Sequence, residues 1–183
     1  MYVAKPEPTV WAIAAHTAAK HKILRTYLDA WFPIMSSQPR VVFLDGFAGP
    51  GIYTGGEPGS PIIALESAKS HTAKLSKELV FLFVEERKDR AARLSEQVEA
   101  LRCPDRFKME VKCGEFAPTL TTLLDGLDKN KGRLAPTFAM VDPFGFKGIP
   151  FPLMKRLIDK GRRRPAPRIK CSSLNSSPCA PSS

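Results

Sequence analysis

The chain has 183 residues, 43% hydrophobic and 25% charged, with a formal net charge of +10. This is enough apolar material for one packed domain, and it excludes a wholly disordered chain. No apolar run nears the roughly 20 residues of a membrane span, and His16 and Lys20 interrupt the apolar part of the N-terminus, so neither an anchor nor a secretory signal is expected and the protein reads as cytoplasmic.

Residues 1–8 are polar and proline-spotted and read as loose. From about Thr9 to Trp31 the spacing predicts a helix, with Ile23, Leu24, Tyr27, Leu28 and Trp31 as one buried stripe and Lys20, Lys22 and Arg25 on other faces. His16 and His21 are five apart, which argues against a metal pair and reads as surface or packing residues. Pro33 closes the helix or lies just past it. Val41–Leu44 is a β-branched, apolar run that reads as a buried strand ending at Asp45. Gly46, Gly49 and Gly51 follow as a loop, and Gly59-Ser60-Pro61 opens a helix to about Ser70, with Ser60 as cap and Pro61 in the first helical position.

Leu79–Val84 is a second continuous apolar run, ending at Glu85-Glu86. Continuity predicts a strand covered on both faces. Ala91, Leu94, Val98 and Leu101 step at helical intervals. Phe107, Met109, Val111 and Cys113 alternate with Lys108, Glu110 and Lys112, which predicts a strand with one wetter face, at a sheet edge. Glu115 stands just past it. Pro118 opens a helix with Leu120, Leu123, Leu124 and Leu127 inside, Asp128–Gly132 is a polar turn, and Thr137–Val141 is a fourth strand ending at Asp142-Pro143-Phe144-Gly145. A last helix covers about Pro152–Lys160. Residues 161–183, rich in Arg, Pro and Ser, read as a disordered basic tail. Six of the 28 basic residues fall in residues 160–183, which hold no acid, so residues 1–159 set 22 bases against 18 acids and the charge argues only weakly for nucleic acid. Cys103, Cys113, Cys171 and Cys179 form no C-x-x-C pair, which favours reduced thiols over a zinc site.

A helix followed by four β-α pairs over residues 9–160 predicts an α/β, Rossmann-like parallel sheet with helices on both faces. Such sheets place sites at the carboxyl ends of strands, where Asp45, Glu85, Glu115 and Asp142 all fall. Strand, glycine loop and helix N-terminus together suit a nucleotide-like cofactor. A phosphate loop lacks its Lys-Ser/Thr pair, and a dinucleotide loop lacks its third glycine, since Thr54 stands there. An NAD-dependent oxidoreductase is therefore the weaker alternative. S-adenosylmethionine fits better: its sulfonium and ammonium suit an acid in the loop, Asp45, and its ribose suits an acid after the next strand, Glu85. At the fourth strand, Asp142 and the Pro143 carbonyl would hold amine hydrogens while Phe144 stacks on a flat base. These three are the candidate catalytic residues, and Asp45, Gly46, Gly49, Gly51, Glu85 and Glu115 the candidate cofactor residues; no metal ligands are predicted.

The segments HTAAKHKILRTYLDAW, LDGFAGPGIYTGGEPGSPIIALESA, FLFVEE and MVDPFGFKGIP together resemble the three-Cys-motif partner protein (TcmP) family, a bacterial group with a class I methyltransferase-like fold. The resemblance covers about His16 to Lys155. It implies a cofactor pocket at Asp45, Gly46, Gly49, Gly51 and Glu85, with Asp142, Pro143 and Phe144 facing an amine acceptor, in nucleic acid or elsewhere. It also implies a partner, a three-cysteine radical-SAM-like protein, and hence an alternative role as a non-catalytic SAM-binding scaffold. The DPFG segment is similar to the motif of tRNA guanine-N2 dimethyltransferases and lacks the second proline of the DPPY of amino-methyltransferases. Domains of this family carry further strands. The change of composition after Lys160 is expected to mark a frameshift or premature stop, which leaves the domain incomplete and its fourth strand an exposed apolar edge; the alternative is a native basic tail that grips phosphates.

Overall fold

The structure, a computed structural model, describes residues 8–71, 75, 77–143 and 149–161. The predicted tail and residues 1–7 lie outside them, as does Phe144. The elements alternate as α1 (Ala15–Ile34), a short 3-10 turn (Met35–Ser37), β1 (Arg40–Asp45), α2 (Ser60–Ser70), β2 (Glu78–Glu85), α3 (Lys88–Ala100), β3 (Phe107–Cys113), α4 (Phe116–Lys129), β4 (Thr137–Met140) and α5 (Phe151–Gly161). All strand pairs are parallel, in the order β3-β2-β1-β4. The chain is thus an α/β domain built on a parallel sheet, and among the described residues no helix is long and apolar enough to cross a membrane.

Alternation along each central strand feeds two cores. Val41 and Phe43 of β1, with Leu79, Phe81 and Phe83 of β2, join Leu24, Leu28, Trp31 and Phe32 of α1, Ile63, Ala64, Leu65 and Ala68 of α2, and Leu94 and Val98 of α3. Leu44, Leu82 and Val84 point the other way, to Leu120 and Leu124 of α4 and Leu153 and Leu157 of α5. Helices therefore cover both faces, and β2 is buried along nearly all its length, as its unbroken apolarity requires. Phe81 is fully buried, with the rings of Phe32, Phe43 and Phe107 about it; burying one such side chain contributes about 2–3 kcal/mol. β3, with its alternating pattern, is an edge strand.

Four local expectations need correction. The first helix starts at Ala15, not Thr9, because the preceding residues are held in tertiary contacts. Thr9 Oγ1 donates to Asp89, Arg90 donates to the Pro8 carbonyl at 2.9 Å, and the Arg90 guanidinium lies 4.5 Å from the Trp11 ring centre. These ties draw residues 8–14 across the start of α3 as an extended strap. The stripe of α1 is also narrower than its apolar residues suggest. Leu24, Leu28 and Trp31 are buried, but Ile23 is 70% and Tyr27 53% exposed, since a helix on one sheet face buries only one side. Ser60 is the first residue of α2 rather than its cap; Gly59 holds the cap position and Pro61 follows Ser60 in the first turn. Finally, α4 begins at Phe116, two residues before Pro118, whose missing N–H costs nothing in a first turn.

Candidate functional site

β1 and β4 end side by side, with Asp45 opposite Met140. The loop after β1 is stitched to both neighbours: the Gly46 N–H donates to Met140 O at 2.9 Å, and the Ala48 N–H to Val84 O at 3.0 Å. Gly49 then turns with φ +68°, and its N–H donates to Glu85 Oε2 at 2.9 Å. The other carboxylate oxygen of Glu85 accepts the Arg87 N–H, also at 2.9 Å. Glu85 thus latches the glycine loop to the start of α3.

Gly51 has φ +85°, and its carbonyl accepts the Gly59 N–H at 2.6 Å. Between them Ile52 pairs with Pro58, and the Tyr53 N–H donates to Glu57 O at 2.9 Å. The second glycine cluster is therefore the turn of a small hairpin. Its product is the placement of Tyr53, whose ring stands edge-on to Trp11 at 5.5 Å. The Thr54 N–H donates to Trp11 O at 3.1 Å, which fastens the strap to the hairpin. An alanine at Gly51 would take a left-handed φ and bring its Cβ to 3.0 Å from Leu94. Gly51→Ala is expected to cost about 1–2 kcal/mol, read as a lowered midpoint in urea unfolding with an unchanged slope. A midpoint equal to that of the parent would remove the argument that this turn needs glycine.

Strap, hairpin, α1 and the ends of β1 and β4 enclose a cavity of about 310 Å³. Its walls include Trp11, His16, Lys20, His21, Asp45, Gly49, Tyr53, Ser60, Asp142 and Pro143. The N-terminus of α2 reaches it through Ser60, so the positive end of that helix dipole adjoins the cavity. Asp45 is only 1% exposed. Its Oδ1 accepts the Phe47 N–H at 3.1 Å, while Oδ2 is buried without a hydrogen-bond partner among the described residues. Burial pushes its carboxyl up to about 6, against the neighbouring Ser60 hydroxyl and the Phe47 N–H, which favour the charged form. Burial likewise pushes Tyr53 up to about 12, helped by the charges of Asp45 and Asp142. His21 moves down, again through burial first. At the outer rim Lys20 spans both oxygens of Asp142, at 2.7 and 2.8 Å. With the two side chains 50% and 45% exposed, this pair contributes at most about 1 kcal/mol.

Of the predicted residues, Asp45, Gly49, Asp142 and Pro143 share this cavity, and Glu85 stands behind it through Gly49. Gly46, Gly51 and Glu115 do not line it. Gly46 lies under the Phe116 ring, where a Cβ would come within 2.7 Å, so it serves close packing. Glu115 is exposed, caps α4 and receives Thr119 Oγ1 on its carbonyl at 2.7 Å. Trp11, Lys20, Tyr53 and Ser60 are walls that their spacing alone did not mark as such, and His16 and His21 both prove to touch the cavity. Thr17, Lys20 and His21 sit at i, i+3 and i+4 and continue directly into Leu24, Leu28 and Trp31. The polar beginning of a buried helix face was the legible signal.

A larger groove of about 650 Å³ lies by the end of α4 and along α5. There Arg156 pairs with Asp125 at 2.6 Å, and Asp128 with Arg156 and Lys160, so the charges serve to clasp two helices. Compared with family models, curated proteins and solved structures, the chain finds no match.

Proposed function

We propose that this domain binds S-adenosylmethionine and transfers its methyl group to an amine. One observation carries the reading: Asp45, which lines a cavity at the ends of two parallel strands, has a buried Oδ2 with no hydrogen-bond partner among the described residues. A cation with N–H donors is the complement such an atom lacks, because a buried charge is tolerable only when paired. The ammonium of the cofactor's amino-acid end supplies it. The residues present fit the group at its other end too. Glu85 spends two lone pairs on the Gly49 and Arg87 N–H groups, and a carboxylate offers about four, which leaves capacity for ribose hydroxyls. When bound, the cofactor supplies an electrophilic methyl group. The protein's own work is orientation: Asp45 holds the charged end, Tyr53 and Trp11 wall off water, and Asp142 with the Pro143 carbonyl accepts amine hydrogens. A planar amine such as that of a nucleobase suits these acceptors, and Phe144, outside the described residues, is the proposed stacking partner.

The resemblance to three-Cys-motif partner proteins supports the same cofactor and suggests a second role. In that role the domain binds cofactor without transferring a methyl group and acts as a scaffold for a three-cysteine radical-SAM-like partner. The observation in its favour is that Lys20 already occupies Asp142.

Calorimetric titration of the full chain with S-adenosylhomocysteine tests the cofactor. Saturable binding is expected, and its absence from a folded sample would sink the proposal. Incubation with methyl-labelled cofactor and pools of RNA, DNA and protein then separates enzyme from scaffold. Asp142→Ala is expected to leave the affinity for S-adenosylhomocysteine within about threefold, since an exposed pair is worth little, while abolishing label transfer. A large loss of affinity in this variant would move Asp142 from the acceptor to the cofactor.

A further inference from the structure

Two residues that line the cavity each hold a buried side-chain atom without a hydrogen-bond partner among the described residues, Asp45 Oδ2 and His21 Nδ1. The proposed cofactor accounts for the first. The second is unused. His21 is 8% exposed, and its ring lies 5.8 Å from that of Tyr53. The Pro58 carbonyl adjoins the imidazole and favours a hydrogen on it. A buried Nδ1 without a partner suits the tautomer in which Nε2 holds the hydrogen, toward Pro58, and Nδ1 the lone pair. Burial disfavours the imidazolium, so that lone pair persists at neutral pH. The charged and titratable groups around the ring are Asp142 at the end of β4, Lys20 and His16 on α1, Tyr53 on the hairpin and Asp45 at the end of β1. Asp142 favours protonation of His21, and Lys20 opposes it. Lys20 is drawn to Asp142, so among the described residues no donor pairs with Nδ1.

We propose that His21 Nδ1 accepts a hydrogen bond from the amine that receives the methyl group, and so selects a primary amine. This rests on the methyl-transfer reading. A primary amine has two hydrogens. One goes to Asp142 or the Pro143 carbonyl and the other to His21, which leaves the nitrogen lone pair free to face the methyl group. An amine already methylated once has too few hydrogens for both acceptors, so a single methylation is the expected outcome. His21 is on this account a specificity-determining residue.

The test is a binding comparison on the full chain. Sinefungin carries a primary amine where the cofactor carries its transferable methyl, whereas S-adenosylhomocysteine carries nothing there. The native chain is expected to prefer sinefungin by about tenfold or more, the range of a hydrogen bond to a charged group. His21→Gln keeps a donor for Pro58 but removes the Nδ1 acceptor. In it the preference should fall by about tenfold with the affinity for S-adenosylhomocysteine unchanged. His21→Asn keeps an acceptor near the Nδ1 position and should retain most of the preference. It also serves as the control if His21→Gln fails to fold, in which case a lost preference in His21→Asn overturns the proposal. No preference in the native chain, or an unchanged preference in His21→Gln, overturns the role of His21 and leaves the cofactor reading standing. Failure of both ligands to bind folded protein overturns both.

Discussion

Asp45→Asn is expected to weaken S-adenosylhomocysteine by about a hundredfold or more, the lower end of the loss when one partner of a buried charged pair is removed, and yet to melt no lower than the parent at pH 7.5. The two effects share one cause. The folded-state carboxyl lies at about 6, above its ordinary value of 3.8, because burial disfavours the charge. A raised acid binds more protons in the folded than in the unfolded chain. Between about pH 4 and pH 6 the unfolded chain has already ionised, so stability falls with rising pH. Two pH units at about 1.4 kcal/mol each amount to a loss of about 3 kcal/mol, complete above pH 6. Asparagine never ionises, so the variant escapes this decline, and its advantage over the parent should grow by that amount between pH 4 and pH 7. Chemical unfolding at a series of pH values checks it. A parallel pH dependence in parent and variant would show that Asp45 is not the titrating group.

The same shift sets the pH dependence of binding. Pairing with an ammonium requires the ionised carboxylate, so below pH 6 the ligand must displace a proton. Affinity should rise about tenfold per pH unit up to that point and then level. Calorimetry in buffers of different ionisation enthalpy should register the proton release at pH 5.5 and not at pH 8.

How much of this was legible before the structure follows from which forces place each residue. The strands were readable because a sheet buried on both faces demands unbroken apolar runs, as in Leu79–Val84, and an edge tolerates alternation, as in Phe107–Cys113. Asp45 and Asp142 were readable because parallel strands bring their carboxyl ends together. The strap was not. Val10-Trp11-Ala12-Ile13 has no local signal against a helix, and what holds it extended is Asp89 and Arg90, some 80 residues away in the chain. Nor was the hairpin, since GIYTGGEPG is equally compatible with a loop wrapped round a ligand; only the pairing of Ile52 with Pro58 shows that its glycines make a turn. Placing His16 and His21 on different faces was correct helical geometry, but the cavity curves around the first turns of α1 and touches both.

Glu85 draws the sharpest contrast with Asp45. Both are buried acids at the ends of adjacent strands, at 8% and 1% exposure, and both belong to the proposed cofactor site. Their stability signs are opposite. Both Glu85 oxygens receive backbone N–H groups, from Gly49 and Arg87. Glu85→Ala strands these donors, at about 1–3 kcal/mol each, for a total near 3 kcal/mol. For a chain of this length that corresponds to about 6–12 °C in Tm. It also frees the glycine loop, so cofactor binding should be lost with it. Glu85→Gln keeps one acceptor oxygen and turns an NH2 toward the other N–H, and should fall between parent and alanine variant. Thermal melts of the three proteins beside Asp45→Asn make the comparison. A Glu85→Ala protein that melts within about 2 °C of the parent would mean that the loop satisfies its own donors and that the acid serves the ligand alone. The expected order, with Asp45→Asn at the top and Glu85→Ala at the bottom, would mean that one acid is held in reserve for a ligand and the other builds the loop that the ligand meets.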